Sequence, residues 1–148
     1  MTTTVRAAIF IARPPEAVVA VILDPTKAVL WTFDLERFEV VTGRPGEIGS
    51  VAHLHYVQNG RPYVMEDTLI EAEPLSRYVS RVAGDALTAQ VETALAPVGE
   101  GTQVTVRWTG SGKLPVLRLL LPFMRRKIAR QAEADLRKLK DLVEGRLP

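Results

Sequence analysis

Residues 99–146 read GEGTQVTVRWTGSG and then KLPVLRLLLPFMRRKIARQAEADLRKLKDLVEGR. The hydrophobic period changes between the two halves. In the first, Val104, Val106 and Trp108 alternate with Gln103, Thr105, Arg107 and Thr109, the two-residue repeat of a strand with one buried face. In the second, Ile128, Ala132, Leu136, Leu139 and Val143 step by four, four, three and four, which traces one face of a helix. Pro115 can open the helical region. Pro122 has no N–H to donate and crowds the preceding turn, so it predicts a break, with the long helix running from about residue 123 to 144.

Working back from this strand-to-helix switch, the chain is mostly short strands. Residues 4–12 form a first strand, stopped by Pro14-Pro15. Pro15-Glu16 opens a short helix through Val18, Val21 and Ile22, since the N–H that proline lacks would have no partner in a first turn. Asp24-Pro25 repeats the device, with Asp24 as N-cap of a second short helix that reaches Leu30-Trp31. Strands follow over 33–41, 51–57, 61–72, 77–82 and 87–95, separated by Gly- and Pro-rich turns. Strands joined by hairpins pair most simply with their neighbours. The expected class is α+β. A seven-stranded antiparallel sheet is wrapped around the C-terminal helix, with two short helices after strand 1, all in one domain over residues 1–148.

Composition removes several function classes. The chain has no cysteine, which excludes disulfides, thiolate nucleophiles and Cys-bound metals. His53 and His55 are the only histidines, and their spacing puts both on one side of a strand. Glu66, opposite His53, could add a third ligand. On the predicted solvent side a cross-strand His–Glu pair is the expectation, with no metal and no cofactor. There is no G-x-S-x-G, and the glycines from 43 to 49 do not spell G-x-G-x-x-G or a phosphate loop. Arg125-Arg126-Lys127 is basic but has no interleaved aromatic ladder, so nucleic acid is not an expected partner. The opening MTTTVRAAIF does not read as a signal peptide, and Leu114–Met124 is too short to span a bilayer, so the expected compartment is the cytoplasm. Residues 113–146 carry ten Lys/Arg against four Asp/Glu, a charge asymmetry suited to an anionic surface or to a solvated helix face.

The hairpin sets the inner wall. Asn59-Gly60 between two strand-like runs is a two-residue turn, because both central residues of a type I′ turn need positive φ. Tyr56 then faces Tyr63, Leu54 faces Met65 and Ala52 faces Asp67. One face holds Ala52, Leu54, Tyr56, Tyr63, Met65, Asp67 and Leu69. The other holds His53, His55, Val57, Val64, Glu66, Thr68 and Ile70. The first is richer in large apolar groups and is placed inward; a slip of one residue would invert it. Leu87, Val91, Leu95, Val104, Val106 and Trp108 extend the inner wall, and Trp31, Phe123, Met124 and Ile128 close it. The candidate ligand-binding set is Trp31, Leu54, Tyr56, Tyr63, Met65, Asp67, Leu69, Val91, Val106, Trp108, Phe123 and Met124. Asp67 is the candidate catalytic carboxyl, since burial among apolar groups disfavours its charged form.

Four pieces of sequence carry a family resemblance: IFIARPPEAVVAVILDP, Trp31 after it, GRPGEIGS, and GEGTQVTVRWTGSG before the terminal helix. Together they resemble the SRPBCC (START/Bet v 1-like) superfamily, within it the polyketide cyclase/dehydrase and lipid-transport group. The resemblance implies a helix-grip fold and a cup for a hydrophobic small molecule. Three readings of the cup follow. It is a binding or carrier site for a hydrophobic or amphipathic molecule, a cyclase, aromatase or dehydratase site on a polyketide-like substrate, or a lipid-transfer site that touches membranes transiently through Leu114–Lys127. The resemblance does not assign an oligomeric state.

Overall fold

The computed structural model describes residues 2–146. The chain runs β1 (Thr3–Ile11), α1 (Pro15–Ile22), α2 (Pro25–Trp31), β2 (Leu35–Thr42), β3 (Val51–Gln58), β4 (Arg61–Glu73), β5 (Arg77–Ala83), β6 (Leu87–Val98) and β7 (Gly101–Gly112). It ends in α3 (Pro115–Leu120), a 3₁₀ turn (Leu121–Met124) and α4 (Arg125–Val143). The seven strands form one sheet in the order β1-β7-β6-β5-β4-β3-β2, antiparallel throughout. This is the helix-grip architecture expected from the sequence.

The local reasons hold at most junctions. Pro15 and Pro25 sit in the first turns of α1 and α2, and the Asp24 carboxylate accepts from the Thr26 N–H at 2.9 Å and from its hydroxyl at 2.7 Å. Asn59 and Gly60 both take positive φ, 52° and 78°, and the register is Gln58–Arg61, Tyr56–Tyr63, Leu54–Met65 and Ala52–Asp67. β2 starts two residues later than the expected 33, because Asp34 takes φ 60° and turns the chain into the strand.

The C-terminal region departs from the expectation in one respect. The long helix begins at Arg125 rather than near 123, and the residues before it form the 3₁₀ turn containing Pro122. Pro122 lies in the first turn of this 3₁₀ segment, where an N–H would have no partner within the segment.

The main core lies where α4 meets one end of the sheet. Leu136 and Leu139 are buried and pack with Ala7, Ile11, Val18, Leu95 and Val104. The C-terminal end of α4 is latched to the β1–α1 junction. Glu144 accepts from the Ala12 N–H at 2.8 Å and pairs with Lys140 at 2.6 Å, and Lys140 also donates to the Phe10 carbonyl. A second, smaller cluster of Ala28, Leu35, Ala52 and Leu54 joins α2 to β2 and β3. Among the described residues, no helix is long and apolar enough to cross a membrane.

Leu136→Ala should lower the unfolding free energy by roughly 2–5 kcal/mol, measured by urea denaturation. Arg137→Ala, one residue along on the exposed side of α4, should change it by less than about 0.5 kcal/mol.

Candidate functional site

Between the two clusters the sheet and α4 do not touch, and a cavity of about 520 Å³ remains. The hairpin register decides its floor. Ala52, Leu54 and Tyr56 from β3 and Tyr63, Met65, Asp67 and Leu69 from β4 all line it. A bulge between Leu69 and Glu71 then shifts the alternation, so that Ala72 packs on the core beyond it. Ser80 and Val82 continue the wall on β5, Val91 and Thr93 on β6, and Val106 and Trp108 on β7. A Cβ on Gly110 would run into the Trp108 ring, so the glycine is what lets the indole lie down along its own strand. Trp31 from α2, Leu121 and Met124 from the 3₁₀ turn, and Ile128, Gln131 and Asp135 from α4 form the opposite side.

Most residues picked from the sequence thus meet around one space: Trp31, Leu54, Tyr56, Tyr63, Met65, Asp67, Leu69, Val91, Val106, Trp108 and Met124, together with Leu87 and Ile128. Three lie elsewhere. Phe123 points to solvent and is 86% exposed. In the 3₁₀ turn Leu121 and Met124 are eclipsed three residues apart and take the inward position, which turns Phe123 out. Leu95 and Val104 face inward but are buried in the packed core beside the cavity, where they pair across β6 and β7.

Asp67 is a polar group of the apolar floor. Burial pushes its carboxyl up to about 6, opposed by a hydrogen bond with the Ser80 hydroxyl. Asp67 is not the only carboxylate there: Asp135, on α4, also lines the cavity. Burial pushes Asp135 up to about 6 as well, against the Phe33 N–H that donates to it at 3.1 Å and the nearby Lys138 charge. The Tyr56 hydroxyl feels both. Burial raises its pKa first, then the neighbouring Tyr63 and the charges of Asp67 and Asp135. Its ring stacks on Tyr63 with centroids 5.0 Å apart and planes within 10°. The Trp31 indole N–H is buried with no hydrogen-bond partner among the described residues.

The sequence carries no signal that singles out Asp135. It stands three residues after Ala132 and beside Leu136, at the margin of the apolar stripe of α4. In a sequence such a position is indistinguishable from the solvated flank of an amphipathic helix. Gln131, one turn earlier, was missed for the same reason.

The two histidines face away from the cavity. His55 Nε2 lies 2.9 Å from Glu39 Oε1, and His53 Nε2 lies 3.4 Å from Glu66 Oε2. Glu39, which the sequence reading did not single out, also pairs with Arg37 at 3.0 Å. These hydrogen bonds, that from His55 first, hold the Glu39 carboxyl below its usual range. Among the described residues, no group of three or more His, Asp or Glu side chains is arranged to hold a metal ion.

Residues 2–144 match the family described as polyketide cyclase / dehydrase and lipid transport. The chain belongs to that family. No functionally curated protein is similar enough to match. Solved structures share the fold. TTHA0849 from Thermus thermophilus is 24% identical with a TM-score of 0.76, over 99% of this chain and 100% of its own. The Zhui aromatase/cyclase from Streptomyces sp. R1128 is 17% identical with a TM-score of 0.80, over 100% and 97%. A START superfamily protein from Mycobacterium smegmatis is 16% identical with a TM-score of 0.68, over 92% and 98%. At these identities the likeness is one of fold. Family and fold are those of proteins built around hydrophobic-ligand or polyketide-cyclase-like pockets.

The raised carboxyls make stability depend on pH in a defined direction. Between pH 4 and 6 the folded protein keeps protons on Asp67 and Asp135 that the unfolded chain, with a pKa near 3.8, has already released. Their contribution is therefore largest at acid pH and is lost as pH rises through about 6. Asp24, Glu39 and Glu144 are shifted the opposite way and weaken the fold on acidification, so the comparison must be with variants. Asp67→Asn and Asp135→Asn should each gain stability relative to wild type as pH is raised from about 4 to about 7, measured by urea denaturation at both ends. A variant that loses ground instead would show that the ionised carboxylate is favourably paired.

Proposed function

We propose that the protein binds a hydrophobic or amphipathic small molecule in the cavity between sheet and α4, as a cytoplasmic binder or carrier. The cavity itself carries this reading. Its size, about 520 Å³, lies inside the range typical of small-molecule sites, and such sites combine apolar walls with a few placed polar groups. Here the walls are Leu54, Met65, Val91, Val106 and Trp108, and the polar groups are Asp67, Asp135, Tyr56 and Ser80. Two carboxyls and a tyrosine hydroxyl suit a polycyclic or aromatic molecule bearing hydroxyl groups. Protonated carboxyls donate and ionised ones accept, so ligand hydroxyls of either sense find a partner.

Native mass spectrometry of freshly purified protein should show a bound molecule or, after extraction, uptake of an apolar fluorescent probe. Val91→Trp places an indole in the space and should abolish uptake while the protein stays folded. Uptake unchanged in that variant would move the binding site out of this cavity.

The two raised carboxyls favour a second reading, an enzyme of the cyclase, aromatase or dehydratase kind. General acid–base catalysis needs groups whose pKa lies near the working pH. Asp67 and Asp135, each up to about 6, meet that need on opposite walls of one space. The fold shared with an aromatase/cyclase agrees with it. The Asn substitutions separate the readings. A carrier with Asp67→Asn or Asp135→Asn should keep its affinity for a hydroxylated ligand within about tenfold, since an amide still hydrogen-bonds. An enzyme should bind polyketide-like substrate normally and lose turnover by about a hundredfold or more.

A further inference from the structure

The segment from Leu114 to Met124 is apolar on both sides, and folding explains only one of them. Leu117, Leu121 and Met124 face the cavity. Val116, Leu119, Leu120 and Phe123 repeat at helical spacing on the outside and are 67%, 72%, 50% and 86% exposed. A short surface helix that packs on a core normally turns a polar face to water. Here the outward face is larger in apolar side chains than the inward one.

The segment is held firmly where it meets the sheet. Arg118 Nε donates to the Gly112 carbonyl and Arg125 Nε to the Thr4 carbonyl, both at 3.0 Å. Gly112 leaves no room for a Cβ against the backbone of Leu117 and Arg118. The exposed stripe is therefore a fixed projection at the end of β7. The charge of the segment itself is all positive. From Lys113 to Ala132 there are six Lys/Arg and no Asp or Glu; the adjoining β5–β6 turn carries one acid, Asp85. Arg126 and Lys127 are exposed and make no ion pair among the described residues.

From this arrangement we propose that α3 and the 3₁₀ turn dock the protein on an anionic bilayer surface. Leu119, Leu120 and Phe123 enter the boundary between headgroups and acyl chains, and Arg126 and Lys127 lie at the phosphate level. Apolar side chains flanked by cations are what such a surface recognises, and neither the apolar nor the electrostatic part alone gives stable attachment. The docking element is also a wall of the cavity, so a molecule leaving past Leu117 or Met124 would pass directly between pocket and acyl chains. The docking itself does not depend on what the cavity holds.

Co-sedimentation with vesicles tests it, using phosphatidylcholine alone and phosphatidylcholine carrying about one-third phosphatidylglycerol. Wild-type protein should pellet with the anionic vesicles and not with the neutral ones, and added salt should reduce the binding. Phe123→Ser combined with Leu119→Ser should weaken partitioning about tenfold or more, and Arg126→Glu combined with Lys127→Glu should do the same. All four side chains are exposed, so both double variants should keep the wild-type melting temperature and the uptake of an apolar probe by the cavity. Failure of wild type to pellet with anionic vesicles would overturn the proposal, as would equal pelleting of wild type and variants. Light scattering supplies a further way to fail: a wild-type dimer that becomes monomeric in the Phe123→Ser, Leu119→Ser variant, without vesicle binding, would assign the stripe to a second copy of this chain.

Discussion

The seating of α4 on β1 is the contact from which the rest of the structure follows. Leu136 and Leu139 fill the space above Ala7 and Ile11, and the Glu144–Ala12 and Lys140–Phe10 hydrogen bonds pin the end of the helix beside them. The helix therefore lies along one edge region of a sheet seven strands wide. A twisted sheet of that width curves away from a straight cylinder. Parts of the inner faces of β3, β4, β5 and β6 are left facing the cavity, while α1 packs into the main core and α2 covers β2 and β3. The cavity is the geometric remainder of a good contact made at one place.

Such a remainder is costly for the polar groups along it. Asp67 and Asp135 come from elements that would be half-solvated in a tighter fold, and both are partly stripped of water. One compensating hydrogen bond each, from Ser80 and from the Phe33 N–H, is insufficient to hold the ionised form at its usual pKa. The Trp31 N–H is left without a partner among the described residues. Native interiors seldom tolerate such groups unless they serve a purpose, and here they occur together on the walls of one space. A tightly packed alternative with Ala or Val at these positions would be easier to stabilise and would have no polar handle for a ligand.

The terminal segment shows the same tension on the outside. Pro122 prevents one continuous helix from Pro115 to Val143, and the 3₁₀ turn that replaces it changes the angular phase between the two helical pieces. Leu121 and Met124 are thereby directed inward and Phe123 outward. A single proline thus divides an apolar run between the cavity wall and the surface.

Much of this was legible in the residues. Asn59-Gly60 determines a two-residue turn, because only residues that tolerate positive φ can occupy it. The turn determines the register, and the register determines that Tyr56, Met65 and Asp67 share a face with Leu54. The same local reasoning reaches the proline-led helices and the interruption at Pro122. It stops where a position depends on how far apart two elements lie. Asp135 sits at the margin of an amphipathic stripe, and only the width of the gap between α4 and the sheet decides whether that margin is solvent or cavity wall. Leu95 and Val104 face inward as their alternation requires, yet the descent of α4 onto that part of the sheet makes them core instead of pocket. The outward turn of Phe123 likewise depends on helical phase accumulated through a non-α turn. Sequence by itself determined which residues share a face, since that is set by backbone period and turn chemistry. Tertiary structure alone decided which stretches of that face meet a partner and which meet empty space, since that depends on distances between elements remote along the chain.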